Sequence, residues 1–388
     1  MGAADPGNRR KPGGINKSPE RRKELIVLKK LAAWCILLCL LAGCFPALGE
    51  TPSLKEIYAG RFDFGAAAPR AAFSDPALKQ LMLEQFSILT PENELKPNYV
   101  MDWEKSRQLV AESGDETAVA VQFEAAEPLL DFARENGLKV HGHVLVWHNE
   151  TDDAFFREGY DGNRPMLGRE AMLGRLENYI REIMAFLGEN YPGVVVSWDV
   201  VNEAIDDGTK GLRKSAWYET VGEDYVERAF ELARKYAPEG TLLYYNDYNT
   251  AYPGKLKGIL GLLEKLIPEG NIDGYGFQMH HRVLEPGMSM LSGAVRAVAA
   301  LGLKLRVSEL DVGIKTLSEE SLANQAKKYA DVMKLILEYA GQTEAVEVWG
   351  LKDDMSYRIY EYPLLFDADI SPKPAFWAVA DPENGQYR

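Results

Sequence analysis

From residue 60 onward, short runs of β-branched and aromatic residues alternate with stretches whose apolar positions recur every three or four residues. The first pattern predicts strands and the second amphipathic helices. Asp75-Pro76 offers an N-cap and an N1 proline, and the helix they open carries Leu78, Leu81, Met82 and Gln85 before ending near Phe86. Ser87–Thr90 predicts the strand after it. A helix over Phe123–Asn136 stops at Gly137, placed as a C′ glycine, and leads into a strand over Leu138–Val146. Further strands are expected at Val194–Val201, Thr241–Tyr245, Tyr275–Met279, Lys304–Leu310 and Ala345–Trp349. Helices are expected at Tyr225–Tyr236, Lys255–Leu266, Ala294–Leu301 and Ser321–Ala340. With Arg61–Gly65 as the first, the strands number eight, each but the last followed by helical sequence. Sequential β-α units closing at eight predict an α/β fold, a parallel (β/α)8 TIM barrel, with a doubly wound open sheet as the alternative.

The first fifty residues have a different character. Residues 1–30 hold nine basic and three acidic residues, followed by an uncharged apolar run from Leu31 to Ala42 that closes on Leu41-Ala42-Gly43-Cys44. A basic segment, a short apolar core and small residues describe an export signal, and the run is too short for the ~20 residues of a membrane span. The closing tetrapeptide resembles a bacterial lipobox, in which Cys44 is lipidated. Cleavage of an ordinary signal after Ala47-Leu48-Gly49 is the alternative. The expected organisation is a leader over 1–44, a tether over 45–54 and one catalytic domain over 55–388, in a protein secreted or held at the cell surface.

Charge and cysteine usage narrow the chemistry. The chain is 46% apolar with a net charge of −14, and the basic leader hides a still more acidic body. Such a body is repelled by nucleic acid and by anionic headgroups, which leaves neutral substrates open. All three cysteines (Cys35, Cys39, Cys44) lie in the leader, so the body has no disulfide, no cysteine-ligated zinc and no thiol nucleophile.

Polar and aromatic clusters recur at the carboxyl end of strand after strand. They are Glu92-Asn93-Glu94, His141/His143/Trp147/His148, Asp199/Asn202/Glu203, Asn246-Asp247-Tyr248-Asn249, Gln278/His280, Glu309/Asp311 and Trp349. In a barrel these ends share one rim, where active sites are built. The H-x-H of His141 and His143 invites a zinc reading. Against it, the pair sits on the third strand rather than the first, and no separate histidine marks the fifth. Paired carboxylates remain. Glycoside cleavage needs one carboxyl group protonated near neutrality and another ionised, about 5–5.5 Å apart in retaining enzymes. Glu203 and Glu309 end the fourth and seventh strands and are able to meet over the mouth. Asn202 is placed to bond a sugar 2-hydroxyl, and Asp311 shares a face with Glu309 and is placed to orient His280.

Eight segments resemble glycoside hydrolase family 10. They are Thr90–Lys96 (TPENELK), His141–His148 (HGHVLVWH), Trp198–Ala204 (WDVVNEA), Tyr245–Asn249 (YNDYN), Ile272–His280 (IDGYGFQMH), Ser308–Asp311 (SELD), Val348–Leu351 (VWGL) and Pro363–Asp367 (PLLFD). They come in the family's order and cover roughly residues 55–380. The resemblance implies a retaining endo-β-1,4-xylanase that acts on xylan or xylo-oligosaccharides and uses no cofactor or metal. Carried over by position, it implies Glu203 as acid/base and Glu309 as nucleophile. It also implies Glu92, Asn93, Lys96, His143, Trp147, Asn202, Tyr248, Gln278, His280 and Trp349 as sugar-binding residues. Flat aromatic faces suit pyranose rings, and amides and charged groups satisfy hydroxyls that leave water. Four positions depart from the family pattern: Pro97 and Tyr357 where tryptophan is usual, Glu150 where glutamine is usual, and Lys352 where threonine is common. A related barrel glycosidase on another β-1,4-glycan and a non-catalytic glycan-binding lipoprotein are the competing expectations.

Overall fold

The computed structural model describes residues 51–384 together with Gly2. The basic leader, the apolar run and Cys44 lie outside the described residues. Asp75 accepts from the backbone N–H groups of Ala77 and Leu78, and Pro76 takes the first helical position, so the first barrel helix opens where the sequence places it. The strands are β1 Asp63–Ala68, β2 Ile88–Pro91, β3 Lys139–Val146, β4 Val195–Asn202, β5 Leu242–Asp247, β6 Gly274–Phe277, β7 His280–Arg282, β8 Lys304–Gly313 and β9 Thr343–Val348. All pairings are parallel, in the order β6-β5-β4-β3-β2-β1-β9-β8, and β6 also pairs with β8. The ring is therefore closed by eight strands. This is a (β/α)8 barrel, not an open doubly wound sheet. The short β7 resumes the sixth strand after a break at Gln278-Met279, where Met279 has φ 57°, and pairs His280 with Asp311.

The barrel helices are α1 Pro76–Gln85, α2 Glu127–Asn136, α3 Arg169–Asn190, α4 Tyr225–Tyr236, α5 Pro253–Leu266, α6 Met288–Ala299, α7 Glu319–Leu337 and α8 Pro374–Ala380. The helices expected to open at Phe123 and Ala294 open instead at Glu127 and Met288, and two further expectations need correction. The last strand does have a helix: α8 buries Ala375, Phe376, Ala378 and Val379 and packs on α7, but it is too short and too uniformly apolar to show a 3.6-residue period. The first strand runs to Ala68 rather than ending at Gly65, because Ala66, Ala67 and Ala68 carry no β-branched signal while being fully buried. The longest barrel helix, α3, begins at an uncapped Gly168 and has no punctuation that announces its start.

Polar side chains also fill part of the barrel interior. Arg306 on β8 and Glu347 on β9 pair at 2.6 Å, and Thr90 on β2 donates to Glu347 at 2.7 Å. β2 and β9 are separated by β1, so this contact runs through the interior. Above it, toward the carboxyl end, lie the residues of the candidate site.

Candidate active site

β4 ends at Asn202, and Glu203 follows with left-handed backbone, φ 58°. That conformation costs a non-glycine residue roughly 1–3 kcal/mol and persists only where neighbours enforce it. Here the Glu203 N–H donates to the Asn246 carbonyl at 2.9 Å, and Arg213 Nε donates to the Glu203 carbonyl at 3.3 Å. The carboxylate is thereby turned into the mouth. Its Oε2 accepts from Trp147 Nε1 at 2.9 Å, and its Oε1 from Gln278 Nε2 at 2.9 Å and Asn202 Nδ2 at 3.3 Å.

Glu309 sits within β8, buried, at a point where the register against β9 shifts between Val307 and Leu310. Its Oε1 accepts from Asn246 Nδ2 at 2.7 Å, and its Oε2 lies 3.0 Å from His280 Nε2. His280 Nδ1 meets Asp311 Oδ2 at 2.8 Å, and Asp311 in turn receives Arg358. Charges alternate along this chain. Burial works against a protonated His280, but Asp311 and then Glu309 outweigh it and raise its pKa to about 10. The imidazole is therefore an imidazolium near neutrality and donates at both nitrogens. Burial pushes the Glu309 carboxyl up, yet the His280 hydrogen bond and charge, with His143, carry it below the usual glutamate range.

A chain of amides joins the two carboxylates. Ser308 Oγ donates to Asn246 Oδ1 at 2.7 Å, which turns the Asn246 amino group toward Glu309 and toward Asn202 Oδ1 at 3.1 Å. Asn202 therefore presents its oxygen to Asn246 and Gln278 and its amino group to Glu203. Gly276, paired with Asn246 across β5 and β6, makes room for it: a Cβ there would lie 2.3 Å from Asn246 Oδ1.

All twelve residues assigned catalytic or sugar-binding roles from sequence line one cleft of about 450 Å³, together with Asn149, Asn249 and Tyr357. Lys96 donates to Asn93 Oδ1 at 2.8 Å and stands 5.1 Å from the Trp147 ring, a cation–π contact. Burial lowers the Lys96 pKa, opposed first by Glu309 and then by Glu150, and burial likewise raises Glu92 against the pull of Lys96. His143 Nδ1 bonds Asp199 Oδ2 at 2.9 Å while its ring meets Trp349 edge-on at 5.4 Å. Asp311 touches the cleft only through His280. Glu94 accepts instead from the backbone N–H groups of Arg70 and Asn93, which shapes the loop after β2.

The histidines divide. His141 lies deeper, 2.7 Å from Ser197 Oγ and 3.1 Å from the same Asp199 oxygen, so the H-x-H pair converges on one buried carboxylate. Burial disfavours the charged form of His141, and Arg306 adds to it. Burial likewise pushes His148 down to about 4. Among the described residues no group of three or more His, Cys, Asp or Glu side chains is assembled to hold a metal ion.

Asn246 and Arg358 take positioning places that the sequence reading did not give them. Asn246 stood inside a noted cluster, but its role depends on which atom faces Glu309. Arg358 adjoins Tyr357 with no motif to mark it. The departures also resolve. Pro97 opens a short helix over Pro97–Val100 with Lys96 as its N-cap, and it is buried. Lys352 turns to Asp354 and to the Ala368 carbonyl, each at 3.0 Å. Tyr357 presents its ring edge-on to His280 at 5.3 Å and remains 59% exposed. Glu150 is exposed beside Asn98 Nδ2, at 3.4 Å.

A parallel (β/α)8 barrel with two differently supported glutamates in the cleft at its carboxyl-end mouth has the layout of a barrel glycosidase. The chain belongs to glycosyl hydrolase family 10, whose family model matches residues 53–382. It is 40% identical over 337 residues to "Endo-1,4-beta-xylanase B" of Butyrivibrio fibrisolvens, covering 84% of this chain and 52% of that protein. It is 36% identical over 347 residues to "Endo-1,4-beta-xylanase A" of Thermotoga maritima, covering 86% of this chain and 31% of that protein. The chain thus spans about half of the first relative and under a third of the second. Among solved structures, the xylohexaose complex of the CBM22-1 and GH10 modules of Clostridium thermocellum xylanase 10B superposes with a TM-score of 0.77 at 31% identity, over 84% of this chain and 67% of that one. A xylotriose complex of a mutant intracellular xylanase from Thermoanaerobacterium saccharolyticum gives 0.76 at 31% identity, over 85% and 99%.

Proposed function

We propose that the protein hydrolyses internal β-1,4 linkages of xylan with retention of configuration. The observation that carries this reading is the unequal support of two glutamates in one cleft: Glu309 against His280 and its partner Asp311, Glu203 among neutral N–H donors. The xylanase names of the relatives, and the xylo-oligosaccharides in two related structures, support the choice of sugar.

In the first step a Glu309 oxygen bonds the anomeric carbon as the glycosidic bond breaks, and the Glu203 proton passes to the departing oxygen. In the second, Glu203 takes a proton from water, the water oxygen bonds the anomeric carbon, and Glu309 is released. Asn202 and Asn246 offer N–H groups where charge develops, and the Trp147 and Trp349 rings flank the sugar.

Product analysis by mass and by anomer on xylan, carboxymethylcellulose and mixed-linkage glucan tests this. Xylo-oligosaccharides that first appear as the β-anomer are expected from xylan, with far slower release from the glucans. An initial α-anomer would overturn the retaining assignment, and glucan turnover equal to xylan turnover would overturn the substrate.

A further inference from the structure

We propose that Lys255 is a positioning residue for Glu203, holding the strained backbone that aims the acid/base into the cleft. The inference rests on Glu203 being the acid/base and adds how that residue is kept in place.

Lys255 is an odd residue where it stands. It occupies the first turn of α5, where the helix dipole disfavours a cation, and its side chain is fully buried. Its Nζ sits 2.9 Å from Asp247 Oδ1 and 4.3 Å from the centre of the Tyr248 ring, and it donates to the Ile205 carbonyl. Ile205 lies two residues beyond Glu203. Its N–H goes to Tyr245 Oη at 3.2 Å, and Tyr245 donates to the other oxygen of Asp247. Both backbone polar groups of Ile205 therefore end on one buried cluster of Lys255, Asp247 and Tyr245. Asp247 Oδ1 also accepts from the Tyr248 N–H at 2.9 Å, so the same cluster ties down a residue of the cleft wall.

The contact between α5 and this segment is close by construction. A Cβ on Gly258, one turn beyond Lys255, would lie 2.4 Å from the Lys210 carbonyl oxygen and 2.8 Å from Ile205 Cγ2. The chain after Glu203 is thus seated against bare helix backbone with Lys255 at its centre. Stability alone is a poor reason for this arrangement. A buried ion pair is often no better than well-packed apolar side chains, and burial holds the Asp247 carboxyl up at about 7 even with Lys255 beside it. What the cluster adds is a hold on Ile205, two residues beyond the φ 58° Glu203, whose own N–H is held by the Asn246 carbonyl and whose carbonyl is held by Arg213.

The test exploits the leaving group. Protonation by Glu203 is needed for a sugar leaving group and not for an acidic phenol, and kcat/KM reports the glycosylation step for both. Lys255→Met should lower kcat/KM on xylohexaose by about 10–100-fold, the scale of a misplaced catalytic group, while leaving a dinitrophenyl β-xylobioside within about 3-fold. Lys255→Arg should recover part of the loss. Asp247→Asn, which keeps the shape and weakens the pair, should show the same split at smaller size and guards against a Met variant that fails to fold. Glu203→Ala run in parallel must show the split at full size; equal losses there would overturn the acid/base assignment itself. If Glu203→Ala splits the substrates while Lys255→Met and Asp247→Asn lose both equally, or lose nothing, the positioning role is overturned.

Discussion

The two carboxylates of the cleft are seated by opposite means. Glu309 lies inside a strand, on backbone with extended φ, and is clamped by a run of alternating charges, Glu309–His280–Asp311–Arg358. Glu203 lies just past a strand end, on left-handed backbone, and its oxygens meet only neutral indole and amide donors. The difference follows from what each has to do under the proposed mechanism. A nucleophile must stay ionised until it attacks, and an adjacent imidazolium enforces that. An acid/base must give up and regain a proton in each cycle. Neutral donors orient it without a fixed cation that would lock it in one state.

Removing each carboxylate should therefore fail differently. Glu309→Ala is expected to abolish turnover on every substrate, on the order of 10⁵-fold or more, since no covalent intermediate can form. Glu203→Ala is expected to cost roughly 10²–10⁴-fold on xylan, the usual worth of general acid–base catalysis, yet to spare glycosylation by substrates with an activated leaving group. Pre-steady-state rates on both substrate types measure this. Equal loss of the two types in the Glu203 variant would erase the contrast between the seats.

The charged clamp can be broken separately. In His280→Gln the donor to Glu309 is neutral, so the influence that holds the nucleophile below its usual range is gone. The acidic limb of kcat/KM should then move to higher pH, with a loss of about 10–100-fold at the optimum. An unchanged acidic limb would show that the imidazolium does not set it. The same group leaves a mark on stability. The folded pKa of about 10 exceeds the reference value of 6.5, so the contribution of His280 is fully present below about pH 6.5 and is lost as pH rises through about 10. The difference in urea midpoint between wild type and His280→Gln should shrink across that window.

Much of this was legible in the chain, for a physical reason. A parallel barrel places every strand's carboxyl end on one rim, so clusters spaced along the sequence converge without any knowledge of distances. Glu203, Glu309 and nine of the ten sugar-binding candidates fall in those clusters; Lys96 does not, and the sugar-binding assignments themselves rest on the resemblance to glycoside hydrolase family 10. All twelve share one cleft. What escaped depends on orientation or on punctuation. Asn246 bridges Asn202 and Glu309 only because Ser308 fixes which way its amide faces. Lys255 was noted merely as the start of a helix, since a lysine at a helix start does not announce that it turns inward. The break after Phe277 that sets His280 opposite Asp311 hangs on the single left-handed residue Met279, a type with no turn propensity.

The smallest effect is expected at Glu150. A carboxylate replacing an amide near two catalytic carboxylates suggests, from sequence, that Glu150→Gln would lower the acidic limb of the pH profile. The structure makes that effect slight. Glu150 is exposed, its carbonyl accepts from the Asn98 N–H at 3.0 Å, and its charge counts among those that favour protonated Lys96. Lys96, a cation in the cleft wall, offsets that charge, and in 0.1 M salt exposed charges are screened over about 10 Å. Glu309 also already faces an imidazolium that dominates its environment. Glu150→Gln should therefore move the acidic limb down by less than about half a pH unit at low salt, and by nothing measurable near 0.5 M. Paired kcat/KM profiles at the two ionic strengths decide it. A downward shift above about one unit that survives high salt would place the Glu150 carboxylate inside the cleft, and the clamp on Glu309 would then have to be read as answering two like charges rather than one.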